Sequence, residues 1–319
     1  MKKKFYITLL ALAVLMVVST FAAGSYLLSY ALTNDHIRGD AKNWDVQRFV
    51  ERHPEAEGWV DSLRTHHALR DTFLYSSPHD TLHVYYIRAA KPTNRVALLV
   101  HGYKDRALGM MHIGHMYSGL GYNIVLPDLH GHGASSGNDI QMGWKDRLDV
   151  MRTAAVADSL FRGSESATSM VLHGISMGAA TVMSVSGEQT PPYMRCFIED
   201  CGYTSAWDEF EGQLAEQFGL PAFPVLHAAD RLCKARFGWS FKEASPLKQV
   251  GKCRKPMLFI HGDADTYVPY GMVHLLYNAK AAPKDLFIAR GSKHARSYED
   301  HREAYTNKVQ AFLDRYMGK

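Results

Sequence analysis

The stretch His173-Gly174-Ile175-Ser176-Met177-Gly178 sets a serine between two glycines at the end of an apolar run, SMVLHG. Gly-x-Ser-x-Gly is short enough to occur by chance, so its surroundings decide its meaning. Here a strand-like run precedes the serine, and AATVMSVSG, a helix-forming run, follows it. In that context the glycines let the chain turn sharply, lift the hydroxyl out of a sheet and bring the Met177 amide to a helix N-terminus. Such a serine can attack a carbonyl while the amide faces the developing oxyanion. The competing reading is a serine N-cap in an ordinary turn.

A serine hydroxyl is a poor nucleophile unless a base takes its proton and an acid orients the base. His294, in LFIARGSKHARSY, follows a strand ended by glycine and is the expected base. His301, in YEDHREAY, reads instead as the polar face of the last helix. The acid is expected after PMLFIHG, where HGDADTYVP offers Asp263 and Asp265. The turn before TYVP directs Asp265 toward the His294 loop and leaves Asp263 to shape the turn through backbone bonds. Asp200, at the end of the preceding strand, is a third candidate. All three keep the order serine, acid, histidine. A second oxyanion donor, the Tyr103 amide, is expected from the loop after ALLVHG; Lys104, Asp105 and Arg106 beyond it either contact a substrate or, as the preferred reading, form a solvated loop. His130 with His132, or His112 with His115, lack the carboxylate or cysteine cluster that a metal site needs. The serine chemistry requires no metal or organic cofactor.

The elements that must position these groups alternate along the chain. ALRDTFLYS and TLHVYYIRA read as a pair of strands, and RVALLVHG, YNIVLPDL, SMVLHG, MRCFIEDCG, KPMLFIHG and KDLFIARG as six more. Helical sequence separates most of them, including MGWKDRLDVMRTAAVADSLF. Continuous apolar strands alternating with helices predict a mostly parallel eight-stranded sheet covered on both faces. In such sheets the chemistry gathers at the carboxyl ends of the strands, where His101, Asp128, Ser176, Asp200, Asp265 and His294 fall.

The chain has 319 residues, 46% hydrophobic and 21% charged, with a net charge of +4, much of it from Lys2, Lys3 and Lys4. The near-neutral remainder argues against a nucleic-acid-binding face. After those lysines, Phe5 to Asn34 carry no charge. That run exceeds the apolar stretch of a cleaved signal peptide and suits a membrane-spanning helix, which needs about 20 residues. FAAGS nevertheless offers Ala22 and Gly24 as small residues of a cleavage site. An uncleaved anchor is the preferred expectation because SYLLSYAL continues the apolar character beyond it. Either way the lysines stay cytoplasmic and the remainder is exported, as a membrane-bound protein or, after cleavage, a secreted or periplasmic one. Export makes Cys233 and Cys253 candidates for a disulfide, whereas Cys196 and Cys201 bracket a strand too long to bridge. The organisation expected is 1–33 anchor or signal peptide, 34–65 helical lead-in and 66–319 catalytic domain.

From about Ala68 onward the motifs LLVHGY, DLHGHGASSG, HGISMG, HGDADTYVP and SKH resemble those of the α/β-hydrolase superfamily, in the right order. HGY, GWKDRLDV and EDCGYTSAWDEF are similar to its bacterial, often membrane-anchored, esterase-like branch. The resemblance implies Ser176 as nucleophile, Asp265 as acid, His294 as base and the Tyr103 and Met177 amides as oxyanion donors. It also implies a short helical lid insert, about 203–250, whose Trp207, Phe210, Phe218, Phe223, Phe237 and Trp239 either line a pocket or pack the insert onto the domain. The leading expectation is a serine hydrolase acting on a small-molecule carboxylic ester, thioester or amide. A prolyl-oligopeptidase-like peptidase is the alternative, weighed down by the lack of a propeller before the core. A membrane-tethered binding protein without turnover is the reading from another class.

Overall fold

The computed structural model describes residues 2–34, 46–77, 80–163 and 167–317. The first part of the expected lead-in, 35–45, therefore lies outside the described residues. Two compact units form, one from Asn34–Thr204 and Ser245–Lys319, the other from Met1–Thr33 and Ser205–Ala244.

The larger unit is built on eight strands: β1 Leu69–Ser77, β2 Asp80–Ile87, β3 Arg95–Val100, β4 Asn123–Pro127, β5 Ser169–Ile175, β6 Met194–Asp200, β7 Met257–Gly262 and β8 Lys284–Ala289. They form one sheet in the order β1-β2-β4-β3-β5-β6-β7-β8. β2 is antiparallel to both neighbours, and every pairing from β4 to β8 is parallel. The two kinds of sequence explain the split. β3, β5 and β7 are apolar almost throughout and buried on both faces. β1 is mixed, leaves Phe73 and Tyr75 exposed, and forms the edge.

The helices are α1 Lys2–Leu32, α2 Val46–Arg52, α3 Glu57–Thr65, α4 Met111–Gly119, α5 Asp146–Phe161, α6 Met177–Ser186, α7 Ala206–Phe218, α8 Val225–Phe237, α9 Pro246–Val250, α10 Gly271–Ala279, α11 Ser297–Asp300 and α12 Arg302–Tyr316. Alternate strand residues (Ala97 and Leu99, Ile124 and Leu126, Leu258 and Ile260) join one core with Met111, Ile113 and Tyr117 of α4 and Val309, Phe312 and Leu313 of α12. The residues between them, such as Val96, Leu98 and Val100, are buried too, so the period-two alternation feeds two covered faces. α6 is buried along its whole length, with the hydroxyls of Thr181, Ser184 and Ser186 donating to carbonyls of its own backbone.

The stretch MGWK does not join the helix it precedes. Met142 and Gly143 have positive φ, and the Gly143 amide donates to Asp146 Oδ2, so α5 begins only at Asp146. An added Cβ at Gly143 would stand 2.8 Å from Thr181 N, which fixes that turn against α6.

The smaller unit joins α1 to the insert helices α7 and α8. Ser205 caps α7 by accepting from the Asp208 amide, and Gly219 and Gly238 end the two insert helices in the left-handed region. Phe210 packs on Phe241, itself near the buried Trp239, while Trp207 meets His227. These rings hold the insert together; Phe218 and Phe223 stay exposed. All four cysteines are free and buried, Cys233 and Cys253 included.

Candidate active site

Ser176 lies between β5 and α6 with φ 57° and ψ −119°, a region a side-chain-bearing residue seldom occupies. The neighbouring glycines allow that strained turn. A Cβ on Gly174 would stand 2.1 Å from Gly178 O, and one on Gly178 only 2.0 Å from Val100 O and 2.7 Å from His101 O. The first turn of α6 is thus pressed onto the end of β3. The Ser176 amide donates to Asp200 O at 2.8 Å, which ties the turn to the end of β6. Met177 opens α6, so its amide is among the donors that no helix carbonyl takes.

The loop after β3 lies against the serine. A Cβ on Gly102 would make ordinary contact with Ser176 Cβ and Ile175 O, both at 3.5 Å, which brings the Gly102–Tyr103 segment beside the hydroxyl. His101 fixes that loop through both ring nitrogens. Nδ1 donates to Gly102 O at 2.8 Å and Nε2 accepts from the Leu129 amide at 3.0 Å.

His294 comes from the loop after β8 and Asp265 from the turn after β7. His294 Nε2 stands 2.9 Å from Ser176 Oγ, and its Nδ1 stands 2.7 Å from Asp265 Oδ2. With the proton on Nδ1, the ring donates to the carboxylate and accepts from the serine. Asp265 is held by its own turn, because Oδ1 accepts from the Tyr267 and Val268 amides, both at 3.0 Å. The Tyr267 ring also packs on the His294 imidazole, centroids 4.9 Å apart. Behind the carboxylate, His261 donates to Val268 O at 3.0 Å and lies 3.4 Å from Asp265 Oδ2. Burial alone would raise the Asp265 carboxyl, but its bonds with His261 and His294 outweigh that and bring it down to about 2. It therefore stays a full anion opposite the imidazole.

The other sequence candidates have different partners. Asp263 accepts from the Gly291 amide and from Arg290, fastening its turn to the loop after β8. Asp200 accepts from Ser297 and Tyr305 at 3.1 and 3.0 Å, and burial pushes it up to about 6. His301 donates to Arg290 O. Asp128 accepts from His83 and from the Ala107 and Ala134 amides, so it braces loops. His130 turns to Asp139, and His132 Nδ1 donates to the His130 carbonyl. His112 donates to Gly109 O.

Three neighbours of the site were not expected: His261, Tyr267 and Cys201. The first two sit four before and two after Asp265, His261 near the end of β7 and Tyr267 in the turn that follows it. Cys201 offers its sulfur within 4.8 Å of ligand atoms of Asp265 and His294, the one such cluster among the described residues. Burial, reinforced by the charges of Asp200 and Asp265, pushes its thiol far above the usual range. It is a neutral, apolar neighbour of the carboxylate, and its only signal is its place at a strand's carboxyl end.

Known proteins resemble the chain in both sequence and fold. The uncharacterized protein YqkD of Bacillus subtilis is 32% identical over 227 residues, 71% of this chain and 73% of its own. The uncharacterized protein YfhR of Escherichia coli K12 is 25% identical over 60% of each chain. Among solved structures, the Pyrococcus furiosus esterase Pf2001 superposes with a TM-score of 0.62 at 21% identity, over 78% of this chain and 93% of its own. The Pyrococcus horikoshii acylaminoacyl peptidase does so with a TM-score of 0.59 at 18% identity, over 79% of this chain and 42% of its own. The chain thus shares the α/β-hydrolase fold with solved structures that are named an esterase and an acylaminoacyl peptidase. The profile of the prolyl oligopeptidase family matches residues 109–319, and the chain belongs to that family.

Proposed function

We propose that the chain is a serine hydrolase that forms an acyl-enzyme on Ser176. The observation that carries this reading is the continuous bonding from Ser176 Oγ through His294 to Asp265, at 2.9 and 2.7 Å, at the carboxyl end of the sheet. Ser176 Oγ attacks the substrate carbonyl as His294 Nε2 takes its proton. Negative charge on the carbonyl oxygen is met by the Met177 and Tyr103 amides. His294 then returns the proton to the leaving group, and a water activated by the same nitrogen releases the acid. Asp265, anionic across the neutral range, holds the ring in the tautomer this requires and stabilises the imidazolium.

Family membership shifts the preferred leaving group. Composition and motifs alone favoured an ester; the match to the prolyl oligopeptidase family favours an amide within a peptide or an acylated amino acid. The match, over residues 109–319, includes the region that carries the site. A carboxylic ester is the second reading, supported by the chemistry itself: an alcohol leaves the same intermediate with less need of protonation. Purified protein, active-site-titrated, is to be run on p-nitrophenyl esters and on aminoacyl and peptidyl p-nitroanilides. For at least one anilide, kcat/KM is expected to exceed that of Ser176→Ala by about six orders of magnitude. Turnover of esters alone would favour the second reading, and turnover of neither would remove both.

α1 is the one described helix long and apolar enough to cross a membrane. We read it as an anchor, with Lys2–Lys4 on the cytoplasmic side and the hydrolase unit outside.

A further inference from the structure

Burial divides α1 into two parts. Phe5 to Ala23 is uncharged and exposed except at the half-buried Thr20. About 19 residues at 1.5 Å each give roughly 28 Å, close to the ~30 Å of a hydrocarbon core. From Gly24 onward the pattern changes: Gly24, Leu28 and Leu32 are buried, four residues apart and so on one face.

That face includes the crossing with α8, a helix of the insert. A Cβ on Gly24 would stand 2.9 Å from Ala229 N and 3.1 Å from Ala228 Cβ, so only glycine permits this backbone approach. One residue on, Ser25 Oγ accepts from Arg236 at 2.8 Å. Further along, the Tyr30 ring meets Phe218 edge-on at 5.8 Å, at the end of α7. The small-residue stretch that offered a signal-peptidase site is therefore also the closest contact of the crossing. A cut after Gly24 would sever α1 there.

The same unit carries groups suited to a lipid surface. Tyr26 and Tyr30 are exposed and stacked at 6.4 Å. They stand roughly 5 and 10 Å beyond Ala23, Tyr26 within a headgroup layer of about 5–8 Å where tyrosine accumulates and Tyr30 just beyond its outer edge. Phe218, Leu220 and Phe223 form an exposed apolar loop between α7 and α8, beginning at the Tyr30 contact, and Phe223 is 72% exposed.

We propose that α1 is retained after export and that its outer third is the structural support of the insert, which it seats on the outer lipid surface with the Phe218–Phe223 loop against the headgroups. The proposal rests on reading α1 as membrane-spanning. It assigns the insert a partner, the bilayer, and makes the anchor part of the folded protein.

The test uses the full chain in native membranes and in proteoliposomes of phosphatidylethanolamine and phosphatidylglycerol. Intact mass is expected to retain residues 2–24. Gly24→Leu is expected to raise the rate of limited proteolysis within 205–244 at least tenfold, while Ala23→Leu, on the exposed side, leaves it unchanged. A fluorophore at Phe223→Cys, selective because the native thiols are buried, is expected to be quenched by spin-labelled lipid. A mature chain beginning at Ser25, equal proteolysis of the two variants, or an unquenched fluorophore would each overturn the proposal. Full-length protein extracted by carbonate would instead refute the membrane-spanning reading beneath it.

Discussion

At the residue scale, two aspartates a single residue apart have different work. Asp265 faces the imidazole, whereas Asp263 bonds the Gly291 amide and Arg290. Asp265→Asn should leave the fold intact and lower kcat by about 10⁴, because an amide favours the wrong imidazole tautomer. Asp263→Asn should change kcat by no more than a few-fold, and steady-state kinetics on the best substrate will separate them. A pH effect follows as well. The Asp265 pKa falls from 3.8 unfolded to about 2 folded, so its contribution to stability is present above pH 3.8 and lost as pH falls toward 2. The stability gap between wild type and Asp265→Asn should therefore narrow over that window in denaturant titrations. The three residues that the structure brings together, Ser176, Asp265 and His294, were legible because each follows a strand and a glycine or turn signal. His261 and Cys201 were not, since a buried histidine or cysteine at a strand end looks the same whether or not a carboxylate stands beside it.

At the element scale, the site depends on how closely α6 approaches β3. Gly178→Ala would place a methyl 2.0 Å from Val100 O, a backbone atom that cannot swing aside. Gly102→Ala would place one at 3.5 Å, in ordinary contact. The first substitution should cost more than about 3 kcal/mol and abolish activity; the second should melt within a few degrees of wild type. Thermal unfolding of the pair checks both. The eight strands were readable because apolar runs ending at glycine or a polar residue mark parallel strands. Their lateral order was not, because nothing local to β3 says that β4 and β5 flank it. MGWK was read as helix because Trp144 and Lys145 are compatible with one; the positive φ at Met142 and Gly143 comes from packing on α6.

At the scale of the whole molecule, one unit holds the proposed site and the other joins an apolar helix to an insert. The first was visible in sequence, since its motifs repeat an order that the superfamily shares. The second was not. α1 and 205–244 lie far apart in the chain, and the glycine that lets α1 meet α8 looked like part of a cleavage site. The central claim is that Ser176 is an activated nucleophile, and the most direct measurement is labelling of full-length protein by a tagged fluorophosphonate, with the modified peptide mapped by mass spectrometry. Stoichiometric labelling on the peptide containing Ser176, absent in a folded Ser176→Ala variant, is the predicted result. Folded wild type that stays unlabelled, or a label that persists in Ser176→Ala, would contradict it.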